Sequence, residues 1–360
     1  MSKKMAIIGG GPVGLYLSIL LAKSGHYVSV FEKGTWPVDK VCGQGIMPSG
    51  VELLKTIGIE VNNEESFSFS GVRYIDGDNV IEGRLKRPGL GMDRKVLSSK
   101  LHQLALLDSK ITLKDQSKVD ELSLYDKAVS ISTNNNFEVF DYVFICDGLN
   151  STFRRKLDLE VKRKGEHRMG ARVHFECEPW CDKVEVYWNN GVEAYVTPVG
   201  NHKIEIAFLW FEKSIEKGAY LEERLFNLFP ELSNKVKGKT KLNDFKAYGP
   251  FNTVSMAMKK GPVFLVGDAY KFLDGITGEG ISLGLKAATV IAKNFENFSF
   301  IHKLKIGLIY LNYAIWVKLA LMLSRNLIFR KIIFKFANKF SSFFDYILIM
   351  NDVQWGSKNS

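Results

Sequence analysis

The stretch KMAIIGGGPVGLYLSILLAK, Lys4 to Lys23, decides the fold. Met5 to Ile8 is a short apolar run with the length of a buried strand, and Leu15 to Ala22 continues as an apolar, helix-forming segment. Gly9 to Gly14 therefore falls on a strand-to-helix turn. Within that turn Gly9, Gly11 and Gly14 stand in G-x-G-x-x-G spacing, enclosing Pro12 and Val13. The first glycine permits the tight turn, the second lets the backbone approach a pyrophosphate, and the third lets helix and strand pack closely. The helix N-terminus then presents free N–H groups to phosphate. A second run, YVSVFEK, ends in Glu32 and Lys33, close to the ~20-residue spacing at which an acid meets a ribose hydroxyl. Strand, glycine turn, helix, strand and acid follow one another as a dinucleotide-binding unit requires.

Two later stretches narrow the choice of dinucleotide. DYVFICDGLNSTFRR, Asp141 to Arg155, sets an apolar strand before Asp147-Gly148, Ser151 and Arg154; GPVFLVGDAYKFLDGITGEGISLGLKAA, Gly261 to Ala288, sets another before Gly267-Asp268 and a glycine-rich helix start. With Gly9 to Gly14 these resemble the three signatures of FAD-dependent enzymes of the geranylgeranyl-reductase and aromatic-hydroxylase (group A flavin monooxygenase) superfamily, over roughly residues 5 to 300. The resemblance implies an α/β fold: a Rossmann-like, glutathione-reductase-like FAD domain in the pieces 1–65, 90–165 and 250–300, interrupted by an antiparallel β-sheet substrate domain at 66–89 and 166–249; beyond it, charge and periodicity read 301–360 as C-terminal basic amphipathic helices. It also implies FAD as cofactor. Asp268 would accept a hydrogen bond from a ribityl hydroxyl, and the backbone from Thr277 through Gly278, Gly280 and Ile281 would aim N–H groups at the flavin's pyrimidine edge. Arg94, opening a helix in GMDRKVLSSKLHQLA, takes the place of a basic residue beside the cofactor.

The loop KVCGQGIMPSG, Lys40 to Gly50, leaves the second strand on the cofactor side, and its glycines, Gly43 among them, allow close approach to a flat ring. Cys42 is the expected flavin-facing residue here; alone, a cysteine beside glycine reads as a small buried hydrophobe, and beside a flavin as a weak acid able to supply a proton.

Relatives in such a superfamily divide between hydroxylases, which place an atom of O2 on the substrate, and reductases, which deliver hydride to an isolated double bond. Lys271 and Gly275 occupy the positions of the hydroxylases' usual histidine and proline, whereas TGEGIS and CGQG resemble the reductase branch. The reductases' YxWxFP element is cut down to YVTPVG, leaving Tyr195 and Pro198 as approximate substrate-side equivalents. No two tryptophans stand in the WxWxIP spacing of flavin halogenases, which sets halogenation aside. The expected activity is reduction of a double bond in a small hydrophobic substrate, lipid-like or carrier-bound; a monooxygenase and a non-catalytic flavoprotein at a membrane are the alternatives. With no second G-x-G-x-x-G present, NAD(P)H is expected as a transient electron donor.

Composition and charge set the remaining bounds. With 46% hydrophobic residues the 360-residue chain has ample surface to bury, so disorder is not expected. The four cysteines, Cys42, Cys146, Cys177 and Cys181, include no CxxC pair, and no HExxH occurs, so no metal is expected and free thiols in a reducing compartment are. Three glycines and a proline interrupt the N-terminal apolar stretch, which argues against a secretory signal. Between Arg168 and Tyr248 short runs such as KVEVYW and KIEIAFLWF alternate around turn residues at Asn189-Asn190-Gly191, the pattern of an antiparallel sheet.

Of the net charge of +10, most lies in 301–350, where eight basic residues stand against Asp345 alone. Lys331, Lys335 and Lys339 share one helical stripe, with Phe329 and Ile333 expected on the opposite, apolar face. Such a segment suits an anionic membrane surface or an acidic carrier protein, or simply packs on the FAD domain. Its longest uncharged run, Ile306 to Val317, falls short of the ~20 residues a membrane span needs. No nucleic acid partner is expected, and the location is cytoplasmic, either free or peripheral at the inner face of a membrane.

Overall fold

The computed structural model describes residues 1–40, 43–60, 64–134, 136–161, 166–216 and 218–352. Lys4–Ile8 is a strand and Pro12–Lys23 a helix. Successive residues of a strand face opposite ways, yet Met5, Ala6, Ile7 and Ile8 are all buried, because the strand lies inside a sheet covered on both sides. The order across that sheet is Lys259–Lys260, Val263–Leu265, Tyr142–Ile145, Lys4–Ile8, Tyr27–Phe31, Ile111–Lys114. All neighbours run parallel apart from the edge pair Lys259–Lys260 with Val263–Leu265. Ile7, Phe144 and Phe264 pack with the helices Pro12–Lys23, Arg94–Leu106 and Gly280–Asn294 on one face. Ala6, Ile8, Val143 and Ile145 pack on the other against a three-stranded meander of Glu121–Leu124, Val129–Thr133 and Asn136–Phe140.

This order puts a topological switch point at the first strand. The chain leaves it towards Tyr27–Phe31 on one side, while Tyr142–Ile145 lies on the other. In open parallel sheets the crevice beyond the carboxyl ends at such a point is where ligands bind, and Gly9 to Gly14 sits in it.

A second, nine-stranded sheet has Arg168–Glu176, Lys203–Phe211, Val192–Gly200, Lys183–Asn189, Ser66–Asp76 and Asn79–Met92 side by side at its centre. The turn expected at Asn190-Gly191 joins two of these strands, and both residues take positive φ, 44° and 87°, as a two-residue type I′ hairpin demands. The sheet is mixed rather than purely antiparallel: Lys183–Asn189 pairs parallel with Ser66–Asp76. The two are separated by a large part of the FAD domain, so no hairpin fixes their relative direction. On one face Val173, Val196, Ile204, Ile206, Phe208 and Trp210 pack under the helices Leu221–Asn227 and Pro230–Val236. The opposite face looks back towards the FAD domain.

Three helices end the described chain: Phe300–Arg325, Leu327–Lys339 and Ser341–Asn351. The expected apolar face at Phe329 and Ile333 is only half-buried; Arg330, Phe334 and Ala337 point inward instead. The cause is Arg330, whose guanidinium donates to Asp76 (2.7 and 3.0 Å) and to the carbonyls of Leu323 and Ser324, so the helix rotates to bring that cation inside. The uncharged run also understates Phe300–Arg325, a helix of 26 residues that is long and apolar enough to cross a membrane, since Lys318 alone interrupts Ile306 to Ser324.

Arg168, 3% exposed, holds these parts together. It donates to Glu193 on the sheet (2.5 Å), to Asp274 on the FAD domain (3.1 Å) and to the carbonyl of Gly191 (3.1 Å). Ser324 of the long C-terminal helix donates to the other oxygen of Glu193. Removing one partner from a buried ion cluster leaves the rest uncompensated, at a cost of about 3–5 kcal/mol. Arg168→Ala is therefore expected to lower unfolding free energy by about that amount in urea titrations followed by far-UV circular dichroism.

Candidate functional site

Gly9 has φ 106°, and a side chain there would begin 2.5 Å from the carbonyl oxygen of Cys146; one on Gly14 would begin 2.0 Å from the carbonyl of Gly9. Strand, turn and helix are thus packed too tightly for any other residue. At Gly11 the space outside the turn is open, which leaves room for a phosphate against the backbone. Glu32, buried at the end of Tyr27–Phe31, accepts from the N–H of Gly10 (2.8 Å) and of Gly34 (3.0 Å). Each carboxylate oxygen keeps a lone pair free for a ribose hydroxyl. Trp36 donates to the carbonyl of Gly10 (2.9 Å) and walls this end of the crevice.

Charges alternate along the crevice. Burial pushes Asp147 and Asp268 above the usual carboxylate range, with Lys40 pulling both down and Arg94 pulling Asp268 down as well. Burial also lowers Lys40, and Glu32 opposes that shift. Lys40 Nζ comes within 3.3 Å of where a side chain on Gly148 would begin. Hydroxyl-seeking carboxylates and phosphate-seeking cations in one groove match the two chemistries of a dinucleotide.

Buried polar atoms of residues at this groove lack a hydrogen-bond partner: Asp147 Oδ1, Arg94 Nε and Thr277 Oγ1. Buried polar atoms are rarely left so. The helix Gly280–Asn294 adds more, because its first bond runs from Leu283 N–H to the Glu279 carbonyl and the N–H groups of Gly280, Ile281 and Ser282 precede it. An elongated, polar ligand with hydroxyls, phosphates and an electron-rich edge at the helix start suits these groups. FAD is such a ligand.

The groove opens into a cavity between the FAD domain and the second sheet. Val13, Gly43, Arg94, Asp268, Gly278, Gly280, Ile281 and Tyr195 all line it. Gly9, Gly11, Pro12, Gly14, Glu32, Asp147, Gly148 and Gly267 stand around the nucleotide end, outside that lining. Two candidates are not brought to the site. Lys33 is exposed in the bend that follows the strand end; Pro198 lies at a strand irregularity and is absent from the lining. Cys42 lies outside the described residues.

Comparison with known proteins agrees with this groove. The FAD-binding domain family matches residues 3–72 and 134–298, well over half of the chain. The chain belongs to that family. An uncharacterised protein of Methanosarcina barkeri is 26% identical over 308 residues, covering 80% of this chain and 73% of the relative. Menaquinone reductase of Mycobacterium tuberculosis is 22% identical over 314 residues, covering 82% and 77%. Among solved structures, a flavoprotein/dehydrogenase from Cytophaga hutchinsonii shares the fold with a TM-score of 0.81 at 15% identity, covering 100% of this chain and 95% of that one. Further relatives and structural neighbours include monooxygenases and FAD-bound halogenases. The protein is thus an FAD-dependent enzyme of the group A flavin monooxygenase superfamily.

Over the FAD site the sheet turns its second face inward, with Gly170, Ala207 and Leu209 beside Tyr195 and Thr197. Small residues leave room there, and Tyr195 donates to the Ile276 carbonyl (2.5 Å), tying the roof to the segment before the flavin-side helix. At one end of this face sits a polar cluster that sequence reading missed. Glu205 accepts from the backbone N–H of Gln44 in the cysteine-glycine loop (3.0 Å), and Gln44 pairs with the ring of His174 (2.9 Å). Glu205 Oε2 has no hydrogen bond, standing 3.9 Å from Arg172, which is held instead by Asp39. Burial, only partly opposed by Arg172, raises Glu205 to about 8, and burial together with Lys203 lowers His174 to about 4. At neutral pH the loop therefore hangs from a protonated carboxyl and a neutral imidazole.

Two outcomes follow for FAD binding and stability. Asp268→Ala removes a charged acceptor worth about 1.5–3 kcal/mol, so its Kd for FAD, read by flavin fluorescence quenching, is expected to rise ~10- to 100-fold. Because the folded pKa of Glu205 is raised, the native state holds a proton that the unfolded chain releases above about 4.5; stability falls as pH rises from there to about 8 and is flat beyond. Glu205→Gln has no such ionisation, so wild type minus variant is expected to lose roughly 2–4 kcal/mol across that window, measured by denaturant midpoints at stepped pH.

Proposed function

We propose that this FAD enzyme reduces a double bond of a hydrophobic, lipid-like or carrier-bound substrate with electrons from NAD(P)H. The observation that carries this reading is the far end of the cavity, where Phe69, Val72, Val184 and Val186 form an apolar wall beyond the helix start at Gly278 to Ile281. An apolar, water-excluding compartment suits a substrate that offers an isolated double bond and little to hydrogen-bond. The name of the mycobacterial relative, a menaquinone reductase, supports reduction of such a substrate.

When bound, FAD supplies the two-electron chemistry, taking hydride from a nicotinamide and giving it up to an acceptor. The chain's own groups position and protonate. Tyr195 fixes the gap between roof and floor, and Gly170, which has no side chain, and the methyl group of Ala207 leave the acceptor its space. Hydride addition needs a proton at the neighbouring carbon. Tyr74, lining the apolar end, is raised to about 12 by burial, with Glu279 adding to the shift, so its hydroxyl keeps its proton at neutral pH and is one source. Cys42, which the sequence places two residues before Gln44, is the other proposed source.

Hydroxylation is the second reading, supported by the monooxygenase of Cercospora beticola among the relatives. Anaerobic stopped-flow mixing separates the two. NADPH is expected to bleach the flavin, and an unsaturated apolar acceptor to restore its colour without O2, yielding a product two hydrogens heavier. A product carrying an oxygen atom from labelled O2 would establish the hydroxylase instead. In the same assay Tyr74→Phe and Cys42→Ala are expected to leave reduction by NADPH unchanged, and whichever residue donates the proton to slow reoxidation by substrate roughly 100-fold or more on substitution. Unchanged reoxidation in both would remove the two residues from the chemistry.

A further inference from the structure

The helix Phe300–Arg325 is apolar on two opposite faces. Its inward face carries Ile306, Ile309, Tyr310, Tyr313 and Val317, all buried against the FAD domain. Two positions further along, or about 200° round, stand Leu308, Leu311 and Ile315; with Ile301, Leu304 and Met322 they form an exposed stripe at spacings of three, four and seven, with Lys318 standing in the last interval. Ile301, Leu304, Leu311 and Ile315 are each more than half exposed. A surface helix of a monomeric protein ordinarily presents polar residues there.

Charge indicates what covers the stripe. Lys318 stands within the stripe, Lys305 beside it and Lys303 further round the same helix, and on the next helix Lys331, Lys335 and Lys339 are interleaved with exposed Ile328, Ile332 and Phe336. Neither helix contains an acidic residue. Among the described residues none of these six lysines has a carboxylate partner. A second copy of this chain would bring lysines against lysines, whereas paired helices choose partners by opposite charges beside the apolar seam. A nucleic acid would meet the lysines but gain nothing from a row of leucine and isoleucine. An anionic lipid surface answers both, since acyl chains take the apolar face and headgroups the lysines.

Length alone would also allow this helix to cross a bilayer, but its inner face forbids that orientation. Tyr313 donates to the Asp274 carbonyl and accepts from the Asp274 N–H (3.0 Å), and Tyr310 reaches the Gly267 carbonyl (3.5 Å). Leaving the protein would strip those bonds from the segment that carries the cofactor site.

We infer that the exposed face of Phe300–Arg325, with the lysine-bearing face of Leu327–Lys339, docks the folded enzyme in plane on an anionic phospholipid surface. Full-length, FAD-loaded protein sedimented with phosphatidylcholine vesicles containing phosphatidylglycerol tests this, with pure phosphatidylcholine as control. Binding is expected to the anionic vesicles and to weaken with added salt. Each change among Lys331→Gln, Lys335→Gln and Lys339→Gln should weaken it about fivefold. The combination Leu304→Glu, Leu311→Glu, Ile315→Glu should abolish it while FAD content and thermal midpoint stay unchanged. The idea is overturned if wild type stays in the supernatant with anionic vesicles, or if either set of variants binds as wild type does. It is equally overturned if sedimentation equilibrium without lipid shows a dimer that the glutamate variant loses, which would make the stripe a self-interface. Binding is read without turnover, so this result and that of the flavin assay stand apart.

Discussion

Arg168 is where the molecule's three parts meet, and its geometry shows why a buried charge is retained there. It starts the strand Arg168–Glu176, its guanidinium lies over the ring of Phe211 (4.6 Å) on the neighbouring strand, and beyond that ring it reaches Glu193 one strand further on. Its Nε turns to Asp274, which belongs to the segment leading to the flavin-side helix. Burial alone would lower this guanidinium's affinity for its proton, but Glu193 and Asp274 outweigh burial and raise it. One cation between two carboxylates, each fixed by further bonds, is an arrangement in which Coulomb attraction can repay desolvation. An apolar trio of equal volume could fill the space, but it would not fix the angle between roof and floor on either side of the cavity.

The same economy explains the polar ends of the roof. A sheet with one solvated face alternates apolar and polar residues, and the polar ones normally point to water. Here both faces are covered, one by helices and one by the FAD domain, so the polar positions Arg168, Arg172, His174, Glu193 and Glu205 are all buried. They gather at the two ends of the inward face and leave Gly170, Ala207 and Leu209 between them. The result is a cavity with a bare middle and anchored margins. One margin holds the helix start through Asp274; the other holds the cysteine-glycine loop through Gln44.

This burial also explains which parts of the structure were legible in the sequence. Gly9 to Gly14, Glu32, Asp147 and Asp268 could be read because each answers to local geometry: a turn, a strand end or a helix start, with a short motif around it. The hairpin at Asn190-Gly191 was legible for the same reason. The parallel pairing of Lys183–Asn189 with Ser66–Asp76 was not, since strands so far apart in sequence choose direction through the tertiary packing around them. Nor was the Arg172, His174, Glu205 and Gln44 cluster. The acid in KIEIAFLWF was a visible signal, but ordinary alternation assigns it to solvent, and only the position of the FAD domain turns that face inward. Lys33 and Pro198 show the converse: motif proximity suggests them, whereas Lys33 is exposed in a bend past the strand end and Pro198 sits at a strand irregularity outside the cavity lining.

The C-terminal helices carry the same lesson in another form. Periodicity identifies a helix with an apolar side, but it cannot distinguish a face packed on protein from one left open when both are apolar. On Phe300–Arg325 the two are separated by hydrogen bonding: the buried side contains Tyr310 and Tyr313, whose hydroxyls need acceptors and find them on the FAD domain. The open side has only hydrocarbon between lysines. In Leu327–Lys339 the rotation is set by Arg330 and Asp76, a pair formed between residues 254 positions apart, so the face opposite the lysines could not have been read from spacing alone. Polar anchors, rather than the apolar residues themselves, fix which side of each helix belongs to the protein and which is left for its surroundings.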